Sequence, residues 1–311
     1  MKRLQNKIAE SSLTLPVVMA GGALVWGLSL LFRGGAWPQL VCFAVSCYLM
    51  VELSNANALL RVRSRMVTAT FIALSCAASP LFASFTGTFV QLCFIIAMLL
   101  LFLTYQRPDS VGRIYYAFLF VGLSSMAFVQ VLYFVPLLWL LMATQLQSFS
   151  IKGLSATLLG LITPYWIASV WCLFERDFTP MTEHFAKLAQ LAVPYRDMTI
   201  NIGLLAVVVL TVVLSITGIV HFWLHSFEDK IRIRLLYGFF TSMLLFGTLL
   251  LCLQPQHYEV LIPLLTVFAS PLIAHFLTFT QSRLTNIVFI VVGVLTLALI
   301  VLNLWRPSLS F

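Results

Sequence analysis

The stretch TINIGLLAVVVLTVVLSITGIVHFW, Thr199–Trp223, decides the fold class of this 311-residue chain. It contains no charged residue, and it is longer than the roughly 20 residues that a helix needs to cross the hydrocarbon core of a bilayer. Only helices and closed barrels span bilayers, because lipid offers no hydrogen-bond partners to an exposed backbone. The apolar run is continuous rather than alternating, so the sequence predicts a membrane-spanning helix.

The rest of the chain has the same character. Hydrophobic residues make up 61% of it and charged residues only 9%, whereas soluble domains have about a quarter of their residues charged. The sequence therefore predicts an all-α, polytopic transmembrane bundle that forms one integral membrane domain over residues 1–311. About eleven spans are expected, at 14–32, 37–53, 66–85, 87–105, 114–128, 130–145, 153–174, 199–223, 235–253, 258–279 and 287–305.

The distribution of positive charge predicts the orientation. With the amino terminus in the cytosol, 13 of the 18 lysines and arginines fall in cytosolic segments, as the positive-inside rule requires. The long cytosolic loops are then 54–65 and 224–234, and the external loop is 175–198. Reading 114–145 as one long span instead of two would reverse every later loop and spoil this sorting, which favours two spans.

The external loop carries its own helical pattern. Thr179 and Pro180 are typical of an N-cap followed by a first helical residue, and apolar residues repeat at helical spacing until Pro194. The sequence predicts an amphipathic helix of about 13 residues. It either lies on the outer membrane surface or covers the outer mouth of the bundle.

The stretch VELSNANALLRVRSRM, Val51–Met66, concentrates polar residues in an otherwise apolar chain. Arg61 and Arg65 would share a face if the segment is helical, and with Asn57 nearby they could hold a phosphate bidentately. We expect Glu52, at the end of a span, to pair with one of the arginines, including Arg63. Two interpretations remain: a site for a phosphate or lipid headgroup, or charges that only anchor the loop at the anionic inner leaflet.

Two further groups of polar residues are candidates. His221, His225 and Asp229 are spaced four residues apart, which suits metal ligands but equally suits an interfacial belt, and we favour the belt and predict no metal site. Tyr258 and Glu259 begin the tenth predicted span and mark an external mouth, either for a lipid-linked substrate or as ordinary interfacial anchors. No GxSxG, HExxH or phosphate-binding glycine loop occurs in the sequence, so we expect no cofactor.

The sequence resembles a family of polytopic inner-membrane proteins from Bacteroidetes, defined by sequence alone and of about this length. The resemblance lies in NALLRVRSRM, SPLFASF, LYFVPLLWLL, GLITPYWIASVW and HYEVLIPLLTVFASPLIAHFL. It implies a membrane location and no particular activity. More distantly, the chain is similar to multi-spanning glycosyltransferases that use polyprenyl-phosphate sugars. Those enzymes carry a catalytic acid in a large first external loop, whereas the corresponding segment here, RGGAWPQ at 33–39, contains none.

These observations predict a protein of the bacterial inner membrane that is an accessory or scaffold component of cell-envelope assembly, with no enzymatic activity. Its expected partners are membrane lipids and another envelope membrane protein, and not nucleic acid. The alternative is a glycosyltransferase-like enzyme or carrier for a lipid-linked substrate, acting through Arg61 and Arg65 or through the Tyr258–Glu259 mouth.

Overall fold

The computed structural model of the protein describes residues 3–33, 37–62, 64–190 and 201–305. These residues form thirteen α-helices and no β-strand, which confirms the predicted all-α class. The helices are α1 Leu4–Glu10, α2 Thr14–Arg33, α3 Trp37–Asn57, α4 Met66–Ala77, α5 Phe85–Phe102, α6 Val111–Ala127, α7 Phe134–Thr144, α8 Ile151–Glu175, α9 Thr179–Ala189, α10 Ile202–His225, α11 Ile231–Leu253, α12 Tyr258–Phe279 and α13 Arg283–Trp305.

Eight of the described helices are long and apolar enough to cross a membrane, which makes this a multi-pass membrane protein. They are α2, α3, α5, α8, α10, α11, α12 and α13. Three other apolar helices, α4, α6 and α7, are shorter. The helix α12 forms the centre of the bundle, since 94% of its most apolar stretch is buried.

Contacts at and near the helix termini sort these termini into two ends of the bundle. One end, here called the arginine end, contains the segments 58–62, 64–65, 103–110, 145–150, 226–230 and 280–282. They and the neighbouring helix ends are brought together by the pairs Arg61–Glu228, Gln106–Leu146, Arg232–Phe102 and Gln5–Thr280. The opposite end, here called the α9 end, is joined through Gln39–Ala83, Phe128–His257, Tyr133–Leu188 and Asn303–Ala77.

Side-chain caps explain where several helices begin. The carboxamide oxygen of Asn201 accepts hydrogen bonds from the backbone N–H groups of Gly203 and Leu204, at 3.0 and 3.2 Å. The Ser150 hydroxyl accepts from the N–H of Gly153 at 3.0 Å in the same way. Each bond satisfies a donor that the first turn of a helix leaves unpaired.

The helix predicted at 66–85 is shorter than expected. The α-helix ends at Ala77, and a 3-10 segment follows over Ser79–Ala83. Pro80 is the physical reason, because it has no N–H to donate and disfavours α conformation in the residue before it.

The region 114–145 contains two helices rather than one. The helices α6 and α7 are separated by a 3-10 segment, Val129–Tyr133, that lies at the α9 end. The chain therefore turns back at the point where the sequence suggested a turn.

The predicted amphipathic helix is observed as α9, which packs on the bundle. The Tyr133 hydroxyl donates to the carbonyl of Leu188 at 2.5 Å, and His184 Nε2 lies 3.0 Å from the Ser125 carbonyl oxygen. The predicted N-cap is wrong: Thr179 is already helical, and the Asp177 carboxylate accepts its N–H at 2.8 Å. Hydrogen bonds from Thr179 also lower the pKa of the Asp177 carboxyl. The predicted end at Pro194 lies outside the described residues.

Candidate functional site

A polar cavity of about 260 Å³ opens at the arginine end, where α3 finishes and the chain runs toward α4. Arg61 and Arg65 both line it, so the structure brings together the two arginines that the sequence singled out. The other lining residues are Ser54, Asn55, Ala58, Leu60, Val62 and Ser64. Two guanidinium groups, an amide and two hydroxyls provide the donors that a phosphate group accepts.

A tight helix end, rather than a continuing helix, positions this segment. After Asn57 the chain takes a left-handed conformation at Ala58, with φ 47°. The N–H of Leu59 donates to Ser54 O at 3.1 Å, and that of Ala58 donates to Asn55 O at 3.2 Å. This bond pattern is the Schellman motif, and it normally has glycine where Ala58 stands. Arg61 and Arg65 therefore meet through a loop, not on one helical face.

Two predicted members of the site lie elsewhere. Asn57 is buried, and its amide donates to Leu53 O at 3.0 Å and accepts from Arg232 at 2.9 Å, so it is not part of the cavity lining. Glu52 is exposed on α3, also away from the lining. Among the described residues no ion pair joins Glu52 to Arg61 or Arg65, and Arg63 is not described.

The ion-pair partners of Arg61 come from the segment between α10 and α11. Its NH1 atom lies 2.6 Å from Glu228 Oε2, and its Nε atom lies 2.9 Å from Asp229 Oδ1. The guanidinium carbon also lies 4.5 Å from the centre of the Phe279 ring at the end of α12. Arg61 thus connects the loop before α4 to two other segments of the arginine end.

Asp229 links Arg61 to a buried residue of the bundle interior. Its side chain is 1% exposed, and its Oδ2 atom lies 3.3 Å from Nε2 of His275, whose side chain is 0% exposed. Burial raises the pKa of Asp229, while the positive charge of Arg61 opposes that shift. The side chains of Arg61, Asp229 and His275 therefore form a series of contacts, here called the Arg61–Asp229–His275 series, that extends from the polar cavity to the central helix α12.

The histidines of α10 border the Arg61–Asp229–His275 series. The rings of His221 and His225 stack with centres 4.5 Å apart, and His225 Nδ1 donates to the carbonyl of His221 at 3.0 Å. The His221 ring lies 5.5 Å from that of His275. Within the described ranges, no group of three or more His, Cys, Asp or Glu side chains is placed to hold a metal ion.

The predicted external mouth divides into two environments at the α9 end. Tyr258 lines an apolar groove of about 360 Å³ between α10, α11 and the start of α12, with Asn201 and Thr248 also in its wall. Glu259 is exposed and outside that lining. Both residues lie at the end of the bundle opposite to Arg61.

Known proteins give no further guide to this site. No family model, no curated protein and no solved structure matches the chain.

Glu228 was not predicted as a site residue, and Asp229 and His275 were not predicted to be partners of one another. His275 carried a usable signal, because it is an ionisable residue in the interior of a long apolar run. Such residues are rare within membrane spans and usually have a partner. Its partner Asp229 is 46 positions away in sequence, so only the folded chain identifies the pair.

Proposed function

We propose that the protein is an accessory component of cell-envelope assembly that binds the phosphate group of a membrane lipid in the cavity lined by Arg61 and Arg65. The observation that carries the proposal is the convergence of these two arginines on one polar cavity at an end of a multi-pass membrane bundle. A guanidinium group binds phosphate with two parallel hydrogen bonds, which an ammonium group does not. Arg65 is exposed and makes no ion pair with another described residue, so its charge is available to a ligand.

The proposed location is the bacterial inner membrane, with eleven spans and a cytosolic amino terminus. The arrangement of the three shorter helices supports the number of eleven spans. The helices α4, α6 and α7 each run between the arginine end and the α9 end, as the eight long helices do. The positive residues support the orientation, because most of them flank the arginine end. The cavity would then face the leaflet that is richest in anionic lipid.

Cysteine labelling tests the orientation. In a variant with the six native cysteines replaced by Ala, Arg107→Cys places a thiol at the arginine end and Lys187→Cys places one on α9. We expect a membrane-impermeant maleimide added to intact spheroplasts to label position 187, and to label position 107 only after lysis. The reverse pattern would overturn the proposed orientation.

Lipid binding by the arginine variants tests the function. We expect Arg65→Ala to weaken binding of phosphatidylglycerol and of a polyprenyl phosphate by about tenfold, because it removes charge-assisted hydrogen bonds. Arg65→Lys should recover only part of that loss, since lysine cannot bind bidentately. Native mass spectrometry of the full-length protein in detergent, titrated with each lipid, measures the affinities.

Arg107→Ala is the matched control, since Arg107 is also an exposed arginine of the arginine end but does not line the cavity. An equal loss of lipid affinity in Arg65→Ala and Arg107→Ala would mean that the lipid is held by general charge attraction. That result would contradict a specific site. Inorganic phosphate, titrated in parallel, separates the possible ligands. If it competes at micromolar concentration, the site binds free phosphate rather than a headgroup.

A carrier or glycosyltransferase-like enzyme for a polyprenyl-phosphate substrate is the second candidate. The apolar groove that contains Tyr258 favours it, because a long prenyl chain requires such a surface. Release of sugar from a polyprenyl-phosphate sugar, lost in Glu259→Gln but retained in Glu52→Gln, would support this candidate over the first. Both acids are exposed on membrane helices, which makes Glu52 the matched control.

A further inference from the structure

We infer that anion binding in the cavity is coupled to proton uptake by Asp229, because the bound phosphate and Asp229 compete for the same Arg61 side chain. This inference rests on the proposed function and adds a regulation to it. The cavity would bind its ligand as an anion together with a proton taken from water.

The geometry of Arg61 provides the competition. An anion can bind a guanidinium bidentately along either of two edges. The end edge consists of the two terminal nitrogens, and the side edge consists of Nε and one terminal nitrogen. NH1 already pairs with Glu228, and Nε already pairs with Asp229. Each edge thus contains an occupied nitrogen, so a phosphate that binds Arg61 bidentately must share or displace one of the carboxylates.

The local charge balance makes this displacement costly while both acids are ionised. One guanidinium faces two carboxylates, and a phosphate would place a third negative charge around it. Glu228 has a side chain that is 40% exposed, so water can solvate it when Arg61 moves. Asp229 is 1% exposed and has no such compensation.

Proton uptake by Asp229 removes this cost. When the Arg61 guanidinium turns away from Asp229 to bind a phosphate in the cavity, Asp229 Oδ1 loses its cationic partner. Oδ2 keeps the hydrogen bond from His275. A proton from bulk water on Oδ1 then leaves a neutral carboxyl group in the buried position, which is much less costly than a lone carboxylate.

Several other titratable or charged groups surround Asp229 and belong to the same electrostatic unit. His275 comes from α12, Arg61 from the loop before α4, and Glu228 from the segment of Asp229 itself. The helices α10 and α11 contribute the groups His221, His225, Arg234 and Tyr237. The proton is assigned to Asp229 among them because burial raises the pKa of this carboxyl, and because it is the group that loses Arg61.

The sign of the linkage follows from this assignment. An anion that draws Arg61 away raises the pKa of Asp229 further, so protons bind when the anion binds. By reciprocity the affinity for the anion must rise as pH falls, and it must become independent of pH once Asp229 is ionised in both the free and the bound protein.

Isothermal titration calorimetry of the full-length protein in detergent measures the coupling directly. The probe is a short-chain phosphatidylglycerol, because its phosphodiester keeps one charge throughout the useful pH range. Titrations near pH ~6 in two buffers of different ionisation enthalpy give the number of protons taken up per lipid. We expect roughly 0.3–1 proton for the wild-type protein, and none for Asp229→Asn, with an affinity about threefold to tenfold higher than wild type at neutral pH.

Glu228→Gln is the matched control, since it removes the other carboxylate from Arg61 but leaves the proton acceptor in place. It should tighten binding and retain proton uptake. Binding that requires Arg65 but involves no proton uptake in the wild-type protein would overturn the inference and leave the proposed function intact. Uptake that persists in Asp229→Asn would also overturn it. If Arg65→Ala binds the lipid as well as the wild-type protein does, the proposed function itself fails.

Discussion

Replacing Arg61 by Ala is expected to lower the free energy of unfolding by about 3 kcal/mol at neutral pH. The variant loses the only cation that pairs with Asp229 among the described residues. Asp229 is 1% exposed, so water cannot replace the guanidinium, and His275 contacts only one of its two oxygens. Removing one partner of a buried ion pair is strongly destabilising because it leaves the other charge uncompensated.

The pH dependence distinguishes this cause from a loss of packing. Without Arg61 the pKa of Asp229 in the folded protein rises further above its value in the unfolded chain, which is about 3.9. The penalty is therefore absent below that unfolded pKa, grows as the pH rises, and is complete above the folded pKa. Thermal unfolding of Arg61→Ala and of the wild-type protein at about pH 5 and pH 8 should show a larger difference at the higher pH.

A double variant completes this test. Arg61→Ala/Asp229→Asn should recover more than half of the unfolding free energy that Arg61→Ala loses, because a neutral amide replaces the uncompensated carboxylate. Arg107→Ala, an exposed arginine at the same end, should change stability by less than about 0.5 kcal/mol. A loss in Arg61→Ala that is the same at both pH values and persists in the double variant would contradict the electrostatic explanation.

The helices were predictable because their signal is local. Membrane helices satisfy their own backbone, so a long apolar run is sufficient to identify one. The span predicted at 258–279 is observed at Tyr258–Phe279 for this reason. The short helix α1 was missed, because its sequence LQNKIAE is polar. It is held by tertiary contacts instead: the Gln5 amide donates to Leu277 O and to the Thr280 hydroxyl, both at 2.7 Å.

The site was predictable only in part, because ion pairs depend on distant segments. Arg61 and Arg65 stand out in the sequence as charges in an apolar chain, and both line the cavity. The pairing of Arg61 with Glu228 and Asp229 did not stand out, since Glu228 is 167 positions away. Glu52 is nearer in sequence and was the obvious candidate, but it lies on the exposed face of α3. Proximity along the chain is a poor guide to pairing where tight turns redirect the side chains, as the one at Ala58 does.

Replacing Gly160 by Leu is expected to prevent the close contact of α6 and α8, and to remove most of the folded protein from detergent extracts. A Cβ atom at position 160 would lie 2.6 Å from Tyr115 O, 3.0 Å from Leu119 N and 3.1 Å from Phe118 C. These are backbone atoms of the facing helix, which cannot rotate away as a side chain can. Gly122 on α6 approaches α8 in the same way, with its Cβ position 2.9 Å from the backbone oxygen of Leu161. Small residues permit such contacts between membrane helices.

The smaller substitution Gly160→Ala gives a graded version of the same test. We expect it to lower stability by about 1–3 kcal/mol, as overpacking of a tight interface does. Gly112→Ala is the matched control on α6, because nothing lies within 4 Å of its Cβ position, and it should be neutral or slightly stabilising since alanine favours helix. Thermal unfolding followed by size-exclusion chromatography measures both variants. Equal melting temperatures for Gly160→Ala and Gly112→Ala would mean that the two helices are not in backbone contact, because an added methyl group at position 160 would then have met open space.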